Sequence, residues 1–147
     1  MSCECETGTR KLNQLHPCRA LFGAGLDNDD LNRPVIGIAN AFSETVPGHF
    51  HFKQLAEYVK KGIFRAGGNA LEFGVISCCD SLGNGTIGGH YILPSRETIA
   101  DSIEIMIKAQ HLDGIVLMCS CDKIVPGMIM GAVRANIPAI VLPGGPM

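Results

Sequence analysis

Two short clusters hold the residues most capable of chemistry. One is Cys119-Ser120-Cys121-Asp122-Lys123, the other Cys78-Cys79-Asp80. Both set a thiol directly before a carboxylate. A thiolate is a soft ligand suited to iron or zinc, whereas a carboxylate is a hard ligand suited to magnesium. A Cys-Asp pair can therefore hold a soft metal and a hard one side by side, and Asp80 and Asp122 could converge on one cation. Plainer readings stand beside these. A free cysteine is often a small core residue, which is the expectation for Cys119, and either aspartate can cap a helix or turn. From spacing alone, Cys121 stays open between metal ligand and buried thiol.

Other candidates are weaker. His49 and His51 flank Phe50; such a pair can share a metal, but it serves more often in local hydrogen bonds. The run Gly83-Asn84-Gly85-Thr86-Ile87-Gly88-Gly89 could bring backbone against a ligand or cradle an anion. It lacks the Lys-Ser/Thr ending of a nucleotide-binding P-loop and the context of a dinucleotide fingerprint, so it reads as a surface loop. His16, His90 and His111 have no evident partner, and Cys3 and Cys5 lie in a polar tail over residues 1–13.

The elements that must position these residues alternate in type. A possible helix over 14–25 is followed by an Asn/Asp-rich loop. Short apolar runs at 35–39, 73–76, 114–118 and 138–142 read as buried strands. Between them, Phe52, Leu55, Val59 and Ile63 recur at helical spacing up to a stop at Gly67-Gly68. Pro94-Ser95 opens a second helix with Ile99, Ile103, Met106 and Ile107 on its apolar face and Glu97 in its first turn, where the helix dipole favours an acid. Pro126 suits the first turn of a third, with Ile129, Ala132 and Val133 facing inward. This alternation predicts an α/β fold: a parallel sheet flanked by helices in three layers, flavodoxin-like or Rossmann-like. Such sheets bind ligands beyond the carboxyl ends of their strands. The segments at 40–51, 78–90, 119–123 and 143–146 occupy those ends, and they contain nearly every candidate named above.

Composition narrows the function classes. The 147 residues fit one domain, and at 46% hydrophobic they can bury a core. A net charge of −2 with no basic patch sets nucleic acid aside. No apolar run is long enough to span a bilayer, and the acidic, polar N-terminus is unlike a signal peptide, so a cytoplasmic location is expected. Seven cysteines in such a chain point to metal, redox chemistry or burial rather than a disulfide framework. The chain stops at Met147, directly after a Gly-Gly-Pro turn with no helix to close the last strand, which reads as a cut rather than a natural end.

Several longer motifs resemble one enzyme family. They are Arg33-Pro34-Val35-Ile36-Gly37-Ile38-Ala39-Asn40, Val46-Pro47-Gly48-His49-Phe50-His51, Leu93-Pro94-Ser95-Arg96-Glu97 with Ile99-Ala100-Asp101-Ser102, Cys121-Asp122-Lys123-Ile124-Val125-Pro126-Gly127-Met128, Asn136-Ile137-Pro138 and Gly144-Gly145-Pro146-Met147. In this order and spacing they are similar to the start of the dihydroxy-acid dehydratases, a family that extends to phosphogluconate dehydratase and other aldonic-acid dehydratases. The resemblance covers residues 14–147 and marks them as the N-terminal cluster- and magnesium-binding portion of a longer enzyme.

The resemblance implies roles. Cys121 would ligate an iron–sulfur cluster, and Asp80 and Asp122 would bind magnesium. Lys123 would join them as a carbamate, whose anionic oxygen suits magnesium where an ammonium does not. The implied reaction is dehydration of a 2,3-dihydroxy carboxylic acid to a 2-keto acid, as in branched-chain amino-acid biosynthesis; the alternative substrate is a sugar acid. A non-catalytic metal-binding module is the reading from a different class. The full-length enzyme would be a homo-oligomer, a dimer first of all. Further ligands and the catalytic base, a serine, would lie beyond Met147. Two positions depart from the family pattern. Gly48 stands where some members carry a cluster cysteine, which leaves the cluster open between 4Fe–4S and 2Fe–2S. Asp80-Ser81-Leu82-Gly83-Asn84-Gly85-Thr86 replaces the usual Asp-Gly-Ile-x-Met-Gly-His, a difference that bears on the substrate.

Overall fold

The computed structural model describes residues 21–145. The tail over 1–13, Cys18 and most of the helix expected over 14–25 fall outside them; residues 21–23 are helical. The elements that follow are β1 (Val35–Asn40), α1 (Phe52–Arg65), β2 (Asn69–Gly74), a single turn α2 (Asp80–Gly83), α3 (Gly89–Ala109), β3 (Gly114–Cys119), α4 (Ile124–Ala135) and β4 (Ala139–Pro143). The four strands form one parallel sheet in the order β2-β1-β3-β4.

That order fixes the layers. The chain moves from β1 to β2 in one direction and from β3 to β4 in the other. Right-handed crossovers then place α1 on one face and α3 with α4 on the opposite face, giving the expected three-layer α/β arrangement. α1 packs on β1 and β2, while α3 and α4 pack against each other. The central strands are the most apolar and the most buried: all six residues of β3 and all but Ile36 of β1 are buried. At their starts, Asp113 Oδ2 accepts the Val35 N–H at 2.8 Å and the Asp113 N–H donates to the Val35 carbonyl at 2.9 Å, setting the β1–β3 register.

Three local expectations are corrected. β2 begins at Asn69, not Phe73, and ends at Gly74. It is an edge strand, so its mixed segment Asn69-Ala70-Leu71-Glu72 can pair with β1 while its side chains stay partly exposed. α3 starts at Gly89, with Pro94 inside it rather than at its start. An interior proline costs about 3 kcal/mol, but the buried stripe Ile92, Ser95, Ile99, Ile103, Ile107 runs straight past it, and Pro94 lies on the exposed face. Glu97 is therefore mid-helix, paired with Arg96 at 2.5 Å rather than with the helix N-terminus.

The third correction concerns the rotation of α4. Ala132 is buried as expected, but Ile129 and Val133 are exposed. Gly127 and Gly131 set the angle. A Cβ on Gly131 would lie 2.6 Å from the Ala100 carbonyl oxygen, and one on Gly127 would lie 2.8 Å from that of Arg96. The glycine stripe lets α4 sit directly on α3, which turns Ile124, Met128 and Ala132 inward and Val133 out.

Candidate metal centre

The carboxyl ends of all four strands lie side by side along one edge of the sheet, and a chain of hydrogen bonds ties their loops together. After β1, Asn40 Oδ1 accepts the Phe42 N–H at 2.9 Å while its amide donates to Glu72 at 2.7 Å. The Ala41 carbonyl next in line accepts from Ser77 Oγ, after β2, at 2.7 Å and from His49 Nδ1 at 2.6 Å. On its other side the His49 ring accepts the Ser120 N–H, after β3, at Nε2 over 3.0 Å. Ser120 Oγ in turn accepts the Gly144 N–H, after β4, at 3.1 Å. Gly144 can approach this closely only without a side chain, since a Cβ there would lie 2.3 Å from the Phe52 ring and 2.9 Å from Ser120 Oγ.

His49 is the centre of this chain. It is fully buried and stacks on Phe52 at 4.6 Å. Both ring nitrogens are occupied by backbone groups, so the shared-metal reading with His51 is set aside. The ring is a neutral clamp, protonated on Nδ1. Burial pushes its pKa below the ordinary value; the backbone bonds at Ala41 and Ser120 oppose that shift without reversing it, and His51 adds to it.

The clamp holds the residue between Cys119 and Cys121. Cys119 is fully buried, its thiol facing the Leu117 carbonyl at 3.8 Å, and burial pushes its pKa up to about 11. That agrees with its reading as a core residue. Cys121 differs. Its backbone has φ of 75°, a left-handed conformation uncommon outside glycine. Its sulfur lies 3.9 Å from Cys79 Sγ and 3.8 Å from Asp80 Oδ1. Burial first, then the neighbouring Cys79 and Asp80, push the Cys121 thiol up to about 11.

Asp80 opens the α2 turn. Asp122 is exposed and touches Lys123 Nζ. Its carboxyl sits below the ordinary pKa, chiefly through Lys123 and in small part through a hydrogen bond with Asp80. The sequence-predicted residues Asp80, Cys121, Asp122 and Lys123 thus occupy one neighbourhood, and Cys79, to which the family resemblance gives no role, joins it. Cys79, Asp80 and Cys121 offer ligand atoms that all lie within 4.8 Å of one another. This donor set fits a metal centre: two thiols for a soft metal, with a carboxylate beside them that suits a hard cation. Cys78 and His90 stay outside it. The Gly-rich loop is partly structured, its Gly83 closing α2 and its Gly89 opening α3.

The site lies where the strand order reverses between β1 and β3, the position at which open parallel sheets bind ligands. Away from this site, a groove of about 340 Å³ between α4 and β4 is lined by Leu117, Ile129, Val133, Ile137, Ala139 and Val141 among others and offers no titratable group.

The class that fold and site define is a parallel α/β domain with two thiols and a carboxylate gathered at its switch point, a group that could hold a metal ion. Residues 33–147 match the model of the dihydroxy-acid/6-phosphogluconate dehydratase N-terminal domain, and the chain belongs to that family. It is 53% identical over 132 residues to a dihydroxy-acid dehydratase of Pyrococcus furiosus, covering 89% of this chain and 24% of that protein. It is 54% identical over 132 residues to one of Methanococcus maripaludis, with the same coverage. A dihydroxy-acid dehydratase of Desulfitobacterium hafniense is 53% identical over the same length. The chain spans about a quarter of the length of these relatives. No helix among the described residues is long and apolar enough to cross a membrane.

Proposed function

We propose that this chain is the cluster- and magnesium-binding portion of a hydro-lyase that converts a 2,3-dihydroxy carboxylic acid to a 2-keto acid, with a branched-chain dihydroxy acid as substrate. The observation that carries this reading is the convergence of Cys121 and Asp80, from loops on either side of β1, in a chain that belongs to the dehydratase family. The names of the relatives above favour a dihydroxy acid over a sugar acid.

In this reading Cys121 holds iron of an iron–sulfur cluster. Asp80 and Asp122 hold magnesium, joined by Lys123 as its carbamate. When bound, the two metal groups supply Lewis acidity, easing loss of the C3 hydroxyl and of the proton on C2. The C2–H bond would break to a base outside the residues assigned in this chain, the C3 hydroxyl would leave as hydroxide and take up that proton to form water, and the enol would tautomerise to the keto acid. The chain's own part is positioning. His49 and Gly144 hold Ser120 from two sides, at its backbone N–H and at its hydroxyl, so that Cys121 keeps its aim while substrate binds. A centre held by strand ends is more precise than one carried on a free loop.

The test is keto-acid formation by the native full-length protein, purified without oxygen and supplied with magnesium. Branched-chain dihydroxy acids should turn over and aldonic acids should not. Asp80→Asn should lower turnover at least about 100-fold, more than is typical for residues one step removed from a metal. Turnover of aldonic acids alone would move the substrate to the sugar-acid branch of the family. No turnover of either would favour a non-catalytic metal-binding module.

A further inference from the structure

Cys79 and Cys121 are 42 residues apart and end different loops, yet their sulfurs lie 3.9 Å apart. Both are free thiols. The approach is built by the fold rather than by chance proximity in sequence. The loop after β2 crosses the end of β1, held there by the Val75 N–H on the Asn40 carbonyl at 3.0 Å and by Ser77 on Ala41. This carries Cys79, itself buried, from the β2 side of the sheet to the β3 side. From β3, the left-handed backbone of Cys121 brings the second thiol to meet it. An S–H group is a weak donor and a weak acceptor, so the two thiols gain little from each other alone.

The distance has a direct chemical meaning. A tetrahedral metal with metal–sulfur bonds of ~2.3 Å separates two of its sulfur ligands by ~3.8 Å. We propose that Cys79 is a second thiolate of the metal centre and that Cys79 and Cys121 bind the same metal atom, an iron of a 2Fe–2S cluster, since an iron of a 4Fe–4S cluster, with three sulfides, takes only one cysteine. Asp80, one residue on, lies against the same pair and offers oxygen to the adjacent hard cation. Cys78 and Cys119, the neighbours in sequence, have no place in this group: Cys119 faces the Leu117 carbonyl inside the core, and Cys78 is outside the 4.8 Å set. Cys78 serves as the internal control. The inference rests on the reading of Cys121 as a cluster ligand and adds its partner.

The experiment uses the native full-length protein, prepared without oxygen, with Cys79→Ser, Cys79→Ala, Cys121→Ser and Cys78→Ser variants. Iron and acid-labile sulfide are measured as purified. Metal-free protein is then titrated with Co²⁺, whose thiolate charge-transfer absorption scales with the number of bound sulfurs. The proposal expects Cys79→Ser and Cys79→Ala each to lose about half of the parent's cobalt–thiolate intensity and most of its iron, while Cys78→Ser keeps both. Circular dichroism identifies any variant that fails to fold, and the Ala variant covers a failure caused by burying a hydroxyl. If iron and cobalt intensity depend on Cys121 but not on Cys79, the cluster reading stands and the Cys79 assignment falls. If the parent holds no iron yet its cobalt band halves without Cys79, the shared thiolate site stands and the cluster reading falls. A Cys79–Cys121 disulfide that persists in the oxygen-free protein, with no cobalt band, overturns the proposal.

Discussion

The carboxyl ends of β1 and β3 and the outer flank of β4 are made from similar apolar strands, yet they differ in almost every physical respect. At the first, backbone and side-chain polar groups are paired across four loops, and the His49 ring at their centre is 0% exposed. At the second, Ile140 is 66% exposed and Val133 on the neighbouring helix is 72% exposed. Polar satisfaction is what separates them. A buried hydrogen-bonded network fixes one geometry, because each lost bond leaves a desolvated partner behind. An apolar flank with no polar partners fixes none. The chemistry-bearing residues gather in the first region, and no titratable group lines the groove in the second.

The largest effect should come from breaking the network. His49→Ala removes a buried, stacked ring and strands the Ala41 carbonyl and the Ser120 N–H, at a cost of about 3 kcal/mol. Chemical denaturation of the native protein measures it, and a cost below about 1 kcal/mol would mean that the loops are held by something else.

Two residues on α4 sharpen the same contrast. Gly131→Ala drives a methyl to within 2.6 Å of the Ala100 carbonyl and should cost about 2 kcal/mol. Val133→Lys, two residues along and facing out, should change stability by no more than about 0.5 kcal/mol while reducing binding of a hydrophobic dye to the β4 flank. Equal costs at the two positions would contradict the rotation of α4 described above.

Between these in size lies a pH dependence. The folded-state pKa of His49 is below its ordinary value of 6.5. Below that pH the unfolded chain takes up a proton that the folded clamp refuses, so the unfolded state gains. The His49 contribution to stability is complete above pH 6.5 and is lost progressively as pH falls through the lowered folded value. Thermal melts of the parent and of His49→Gln across this range should converge on acidification; parallel curves would remove His49 as the cause.

Much of this was legible from the sequence, and the exceptions share a reason. Central strands advertise themselves as unbroken apolar runs, so β1 and β3 are legible to within a residue, and with β3 the strand-end loop that holds Cys121, Asp122 and Lys123. The start of β2 is not, because an edge strand tolerates Asn69 and Glu72. The start of α3 was hidden by Pro94, since local propensity yields when a buried stripe such as Ile92 to Ile107 continues through it. The inward face of α4 was misjudged because bulky Ile129 and Val133 outweigh Gly127 and Gly131 in any hydrophobic pattern, while close helix packing rewards the glycines. The pairing of Cys79 with Cys121 depends on the path of a loop across β1, which no spacing encodes. The clamp by His49 agrees with the plainer reading of that histidine as a hydrogen-bonding residue, but its partners Ala41 and Ser120 follow two different strands, which no spacing encodes.

The central claim is that these strand ends present Cys121 as a ligand of an iron–sulfur cluster. Iron and acid-labile sulfide content, read with the visible spectrum, test it most directly in the native full-length protein purified without oxygen and in its Cys121→Ser variant. The account predicts a brown parent containing both elements and a folded variant that has lost them. A parent with no iron, or a Cys121→Ser variant that keeps the parent's full iron and spectrum, would contradict it.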